Sequence, residues 1–432
     1  MWTPGAVPVS KERVSAIVML AFLGFYIFSL IDVSGLMTKL VKYDKIPVQP
    51  IAFGAAAFLI IPWRRGKKFP IYFVGAWTYW TLFSIGGCLG SKRELGIGDY
   101  ELIQLVIKLW ISLVGVPLLA TRTIVRDKFS MFIKLSVIVL AIGGAFAIVQ
   151  VIRPDTFGNW IIEKGRGAGF WVNPNSCAEI CVFGLFLSTI CNFKSKFFAN
   201  FLRLLLLGGV LASMSRGGLS MLFVGAILYA IASKQWKMLA RIGFGFVVVL
   251  VLTVVLAILA KQAGMVASSR IDRFTSFTKG DVGSSGDDRL MLWSYGWKGV
   301  MEDPILGRGH RAMERIVPLG AGFGPHNYYL YVWGNSGLMG LLGYLFFLTS
   351  LFRMGLRCKQ VQNRALVVSM TGIIAVTSLV SHAFMNSVYF GPIFAVMLLT
   401  SYYDLPVGKS APAPIPNRQP VIGPQQRRRP AF

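Results

Sequence analysis

Three arginines stand in short polar segments that interrupt an otherwise apolar chain. Arg216 lies in a tight turn just before two glycines, where the backbone lets a ligand approach closely. Arg289 follows two aspartates, and Arg166 opens a segment that runs to Asn175. A guanidinium is a planar fork of donors that suits a ligand with several negative oxygens. The three are candidate pyrophosphate-binding residues, and the alternative for each is an anchor that reaches lipid headgroups.

The fourth polar segment contains His326, one of only three histidines, directly before an aromatic-rich apolar run. A neutral imidazole at this position could accept a proton from a hydroxyl and act as a general base. The alternative is a polar residue at the membrane interface. His382, at the predicted outer end of another apolar run, is a secondary candidate. His310 lies between glycine-rich and polar residues and is expected to be an exposed loop residue.

Other polar residues complete the set of candidates. Glu179 lies inside a predicted span, where a carboxylate is costly unless it has a function or pairs with an arginine. Asn175, at the end of the segment that begins at Arg166, and Asn327, directly after His326, are secondary candidates. No His-x-x-x-His or His/Cys cluster has the spacing of metal ligands, and the aspartates before Arg289 are expected to be solvated. We expect neither a metal nor a cofactor.

The composition shows what surrounds these residues. Hydrophobic residues make up 55% of the 432 positions and charged residues 14%, against about 25% charged in a soluble domain. A soluble chain of this length has no interior large enough for so much apolar surface, so lipid must be part of its solvent. The net charge of +26 would suggest nucleic acid in a soluble protein. Here the basic residues cluster between apolar runs, as the positive-inside rule predicts, so membrane lipids and no nucleic acid are expected as partners.

The sequence predicts an all-α polytopic membrane protein with about twelve transmembrane helices. The apolar runs lie at 14–36, 47–62, 70–89, 102–120, 135–152, 174–192, 199–214, 218–233, 242–260, 327–352, 365–382 and 387–403. If the N-terminus is cytoplasmic, the most basic turns and the C-terminal tail are cytoplasmic too. The four polar segments then all face the other side of the membrane.

Residues 261–325 form the longest loop, between the ninth and tenth predicted helices. A Gly-Ser-Ser-Gly turn at 283–286 is followed by an amphipathic stretch from Arg289 to Glu302. We therefore predict that the loop forms a small, partly helical periplasmic cap over the membrane domain. Residues 1–403, including this loop, are predicted to form one transmembrane domain. Residues 404–432 are rich in proline and are predicted to be a disordered cytoplasmic tail.

The order and spacing of these motifs resemble the O-antigen ligase and polymerase superfamily, most closely the O-antigen ligases of Gram-negative bacteria. The resemblance covers roughly residues 140 to 400. In order, the matching residues are Arg166-x-x-Gly169-x-Trp171-x-Asn173-Pro174-Asn175, Ser215-Arg216-Gly217-Gly218, Arg289, and His326-Asn327 followed by Gly334, Gly337 and Gly340. One departure is that Gly307-Arg308-Gly309-His310 is followed by no aromatic residue until Phe323. That departure leaves the shape of the loop, and hence the acceptor, open.

The resemblance implies a membrane glycosyltransferase of the bacterial inner membrane, with its active site facing the periplasm. It would transfer O-antigen polysaccharide from undecaprenyl pyrophosphate to a sugar hydroxyl of the lipid A-core oligosaccharide. The residues agree with this chemistry, because arginines can stabilise a departing pyrophosphate without a metal. His326 would activate the attacking hydroxyl, and direct displacement would invert the anomeric configuration.

Alternative functions share part of this pattern. An O-antigen polymerase or a protein O-oligosaccharyltransferase would use the same donor with another acceptor. A lipid-linked-sugar transporter, which belongs to another class of protein, would be expected to carry basic residues through the depth of the membrane. In this sequence the candidate groups are instead predicted at one face.

Overall fold

The computed structural model describes residues 16–31, 70–90, 99–124, 126–153, 166–171, 173–237, 284–316, 324–381 and 389–404, with a few isolated positions besides. All regular structure within these ranges is helical. The α-helices are α1 (Ala16–Leu30), α2 (Ile71–Leu89), α3 (Asp99–Trp110), α4 (Val116–Thr123), α5 (Phe129–Ile152), α6 (Pro174–Leu187), α7 (Lys196–Ala212), α8 (Arg216–Ala232), α9 (Ser284–Glu302), α10 (Tyr328–Leu356), α11 (Val361–Val380) and α12 (Phe390–Tyr403).

Helices lie in every predicted apolar run except the second, which is outside the described residues, and the ninth, which is described only at isolated positions. By length and composition, four helical segments of the described chain could cross a bilayer: Leu105–Thr123, Arg126–Ile152, Tyr328–Leu356 and Val361–Val380. Shorter apolar helices cover Pro174–Ile190, Arg216–Ala232 and Phe390–Tyr403. These helices support a multi-pass membrane protein. The total of twelve spans and the cytoplasmic tail beyond Asp404 stay predictions.

Between α3 and α4 the chain passes through a π-helical turn, Ile111–Gly115. Pro117 follows at the start of α4 and lacks the N–H that would bond to the carbonyl of Leu113. The hydroxyl of Tyr72 on α2 donates to that carbonyl oxygen instead, at 2.6 Å. A backbone group freed within a membrane helix is thereby satisfied by a neighbouring helix, as the lack of water in lipid requires.

Helix α10 differs from the single span predicted at 327–352, because it doubles back at Gly337. Gly337 has φ +64° and ψ −166°, which is not helical. The rings of Tyr328 and Tyr344 lie 5.0 Å apart, whereas sixteen residues of continuous helix would separate them by about 24 Å. The first limb, Tyr328 to Ser336, is therefore too short to span a bilayer and packs beside the second limb. Only the second limb, Leu338 to Leu356, has the length of a span.

The segment that follows α9, residues 303–316, belongs to the predicted cap and is called the cap segment below. Its backbone is hydrogen-bonded to this helical hairpin. The amides of Arg308 and Gly309 donate to the carbonyls of Gly334 and Asn335 at 2.7 and 3.0 Å. The amide of Leu338 donates to the carbonyl of Ile305 at 3.1 Å. The hairpin turn is thus held by backbone hydrogen bonds on both sides. The helix predicted in this loop is present, although it begins at Ser284, inside the predicted Gly-Ser-rich turn.

Helix α2 runs antiparallel to the second limb of α10 and carries the cap at its C-terminal end. Gly75 faces Ser350, and Gly86 faces the backbone of Ser336, so small residues let these helices approach closely. The hydroxyl of Ser336 donates to the carbonyl of Phe83 at 2.9 Å. The hairpin, the cap and the end of α2 therefore form one packed unit.

Helices α5 to α8 and α11 form a second packed group. Gly209 of α7 packs against Gly144 of α5 and Cys181 of α6. Gly225 of α8 packs against Ile373 of α11. These contacts bring the C-terminal ends of α5, α7 and α11 to the same side as the N-terminal ends of α6 and α8. The predicted polar segments all lie at this shared end.

Candidate functional site

Arg166 is tied to both neighbouring segments. Its Nε donates to the carbonyl of Ser213 at 2.8 Å, and its Nη2 donates to Asn175 Oδ1 at 3.0 Å. The same Asn175 oxygen accepts from the hydroxyl of Ser215 at 3.0 Å. Asn175 therefore bridges the first polar segment to the turn that holds Arg216. It holds the site together, and Arg166 uses part of its donor set for the same purpose.

Gln150, which belongs to none of the polar segments described above, holds the loop after Arg166. Its side chain is 1% exposed. Its Oε1 accepts from the amides of Ala168 and Gly169, each at 2.8 Å, and its Nε2 donates to the carbonyl of Gly169 at 3.0 Å. Three hydrogen bonds from one buried amide fix the loop against α5. The only signal in the sequence was a glutamine near the end of an apolar run, where it has to find partners.

The turn that carries Arg216 is tight and locally strained. Met214 has φ +50°, a conformation that non-glycine residues rarely adopt. Ser215 caps α8, because its hydroxyl accepts from the amide of Gly218 at 3.1 Å. Arg216 is thus the first residue of α8, half-buried, at the positive end of the helix dipole. Arginine and helix terminus together favour an anion at this position.

Arg289 lies on helix α9 and is close enough to Arg216 and Arg166 for their charges to act on it. It is half-buried, and its pKa is lowered, first by burial and then by the positive charges of Arg216 and Arg166. The positive charges of Arg216 and Arg166, from two other segments, therefore act on Arg289 at one site. Like charges brought together and partly desolvated are costly, and an anionic ligand would relieve that cost.

His326 lies beside this group, in the turn before α10. Its φ is +44°, so the base candidate also stands in a strained backbone conformation. The pKa of its imidazole is lowered from the usual 6.5, first by burial and then by the positive charge of Arg289. A histidine with a lowered pKa is neutral at pH 7. Its ring can therefore accept a proton.

Three further candidates have defined places. Asn327 is the N-cap of α10, and its Oδ1 accepts from the amide of Leu330 at 3.2 Å. Glu179 is buried on α6, with its Oε2 3.2 Å from the hydroxyl of Tyr389. Among the described residues, the hydrogen-bond partner of Glu179 is thus a tyrosine and not an arginine. His382 lies outside the described residues.

His310 corrects one expectation, because it is 8% exposed rather than an exposed loop residue. Its ring packs edge-on against Phe83 at 5.0 Å, with Nε2 3.3 Å from the carbonyl of Ser84. The reason is Gly87 on α2, whose missing side chain leaves the space that the imidazole fills. His310 therefore packs the segment after α9 against α2.

No group of three or more His, Cys, Asp or Glu side chains within the described part of the chain is arranged to hold a metal ion. The absence of a metal from the reaction stays a prediction. What the described residues supply is a set of guanidinium donors next to a neutral imidazole. This set can bind a phosphate-containing ligand and accept a proton close to it.

Comparison with known proteins agrees with the resemblance seen in the motifs. The family model described as O-antigen ligase matches residues 201–345. The matched region runs from α7 into the second limb of α10, and it includes Arg216, Arg289 and His326. No curated protein matches the chain.

Proposed function

Because the family model described as O-antigen ligase matches residues 201–345, we propose that this protein joins O-antigen to lipopolysaccharide. The donor is a polysaccharide on undecaprenyl pyrophosphate, and the acceptor is a sugar hydroxyl of the lipid A-core oligosaccharide. The reaction takes place in the periplasmic leaflet of the inner membrane.

One observation carries this proposal: Arg166, Arg216 and Arg289 gather from three separate segments beside His326. The charges of Arg166 and Arg216 act on Arg289, and that of Arg289 acts on His326. Such a group fits a substrate that is both an anion and a partner in proton transfer. A headgroup anchor would need neither the convergence nor the histidine.

The proposed chemical step is a direct displacement at the anomeric carbon of the donor sugar. His326 takes the proton of the acceptor hydroxyl, and the hydroxyl oxygen forms the new bond to the anomeric carbon. The bond from that carbon to the pyrophosphate oxygen breaks, and the electron pair leaves with the pyrophosphate. Arg216 and Arg289 stabilise the charge that develops on it. Attack opposite to the leaving group inverts the anomeric configuration.

Orientation supplies a further part of the rate. Both substrates are anchored in one leaflet, so the protein brings together molecules that already share a plane. Holding two reactants in an attack geometry can contribute about 7–11 kcal/mol of the barrier in favourable cases. The arginines fix the donor, while the turn around His326 fixes the direction of attack.

Reconstitution of the purified protein in vesicles tests this function. The donor is supplied with either lipid A-core or free glycan as acceptor, with and without a chelator of divalent metals. Transfer to lipid A-core that survives the chelator is expected. Extension of the glycan alone would identify a polymerase, and activity restored only by magnesium or manganese would overturn the metal-independent step. Binding of the donor without turnover would favour a transporter.

A further inference from the structure

Trp293 on α9 carries a buried polar group for which the described residues supply no hydrogen-bond partner. Its indole Nε1–H is excluded from solvent and meets no hydrogen-bond acceptor within the described part of the chain. The indole nitrogen is a donor only. A buried donor without an acceptor costs free energy, so such a group in a folded protein requires an explanation.

The place of Trp293 on α9 suggests that explanation. It follows Arg289 by four residues, so both side chains project from one helix face, about 6 Å apart along the axis. Three residues further along, Gly296 packs against Pro325, where an added Cβ would lie 2.6 Å from the Pro325 Cβ. Pro325 directly precedes His326. Trp293 therefore stands between the arginine and the segment that carries the base.

This order along the helix matches the order of groups in the reaction. The donor sugar lies between its leaving pyrophosphate and the attacking hydroxyl, because its anomeric carbon exchanges one for the other. Resting on the proposed function, we propose that Trp293 binds the sugar that is joined directly to the pyrophosphate. The indole N–H donates to a hydroxyl or carbonyl oxygen of that sugar and orients it against the base.

Trp297 offers a matched control on the same helix. It is 50% exposed and packs edge-on against Trp333, with ring centroids 5.8 Å apart. Trp293→Phe and Trp297→Phe each remove one indole N–H and keep an aromatic ring. Only the first removes a buried donor on the face that carries Arg289.

The experiment measures binding of two probes to the purified full-length protein. The probes are the glycan-bearing undecaprenyl pyrophosphate and undecaprenyl pyrophosphate without sugar. Trp293→Phe should weaken binding of the glycan-bearing donor about five- to tenfold, as expected for one neutral hydrogen bond. It should leave binding of the sugar-free lipid unchanged, and Trp297→Phe should change neither. Trp293→Leu, which also lacks the N–H, should show the same selectivity.

Two results would overturn the proposal. Equal weakening of both probes would mean that the indole contacts the pyrophosphate, and unchanged binding of both would mean that a solvent molecule satisfies the N–H. The proposed function fails separately, if Arg216→Ala leaves binding of either lipid unaffected. A loss with Arg216→Ala and none with Trp293→Phe would therefore refute the inference and retain the function.

Discussion

At the scale of single residues, the shape of the cationic group should matter as well as its charge. Arg216→Lys and Arg289→Lys each keep the charge and lose the planar fork that contacts two phosphate oxygens at once. We expect each to lower the transfer rate substantially, on the order of 3 kcal/mol or about a hundredfold. The measurement is glycan transfer by the reconstituted protein, normalised to protein content.

Arg357→Lys is the control for these variants, because Arg357 is exposed at the other end of α10. The Arg357→Lys variant should transfer glycan at the rate of the unaltered protein. If Arg216 and Arg289 were headgroup anchors, lysine would replace them freely, and alanine would lower the amount of protein in the membrane rather than turnover. Full activity of both lysine variants would refute the pyrophosphate assignment.

His326→Ala should reduce transfer by roughly 10²- to 10⁴-fold while the protein accumulates normally in the membrane. Normal transfer by this variant together with an inactive His382→Ala would move the base to His382. Both variants are needed for this comparison.

The pH dependence gives a second test of the base. The pKa of His326 is lowered from 6.5 by burial and by Arg289, so the neutral form prevails at pH 7 and is lost only on the acid side. We expect transfer to be level near pH 7 and to fall below pH 6.5. Arg289→Gln removes a positive charge and should raise the pKa of His326, moving the acid limb of the residual activity to higher pH. A limb that stays in place would contradict the coupling.

The residues proposed for the chemical step stand out in the sequence more clearly than the residues that hold them. Arg216 and His326 were recognisable because a charged or titratable group at the end of an apolar run is costly and stands out. Gln150 and Trp293 do not stand out in this way, because Gln150 acts through contacts with a separate loop. The role proposed for Trp293 depends on a donor that has no acceptor among the described residues. Neither has a signature in local spacing.

At the scale of elements, the hairpin in α10 depends on one glycine. Gly337 has φ +64°, and a Cβ there would lie 2.1 Å from the carbonyl oxygen of Ile305. Gly337→Ala should therefore destabilise the protein by roughly 1–3 kcal/mol from the backbone conformation, with the clash added. The expected result is a lower melting temperature of the purified protein and less protein in the membrane.

Gly24→Ala is the matched control, because a Cβ at Gly24 would meet nothing within 4 Å and the residue lies in the regular helix α1. It should melt at or above the temperature of the unaltered protein, since alanine favours a helix more than glycine does. Equal melting temperatures for the two variants would show that the turn at Gly337 tolerates a side chain.

The same hairpin shows why the sequence predicted too early a start for one span. Both limbs of α10 are apolar and aromatic, so hydropathy alone reads them as one continuous run. The reversal comes from hydrogen bonds to the cap, which the sequence does not reveal. By contrast, α5, α11 and α12 were predicted closely because their single apolar run is bounded by charged or polar turns.

At the scale of the whole molecule, the site and the basic turns occupy opposite ends of the same helices. The site lies at the C-terminal ends of α5, α7 and α11 and the N-terminal ends of α6 and α8. Lysines and arginines cluster at the other ends, in the turns that precede α5, join α6 to α7, follow α8 and join α10 to α11. The positive-inside rule then predicts that the site faces the periplasm.

Two native cysteines can test this orientation, because they lie at opposite ends. Cys88 is exposed near the C-terminal end of α2, next to Gly87, where His310 of the cap packs. Cys191 follows α6 at the basic end and is half-buried, so it is less accessible to a reagent than Cys88. A membrane-impermeant maleimide added to right-side-out spheroplasts should label the protein at Cys88. Cys88→Ser should abolish that labelling, whereas Cys191→Ser should leave it intact. Labelling of Cys88 that required lysis of the spheroplasts would place the site in the cytoplasm and refute a periplasmic reaction.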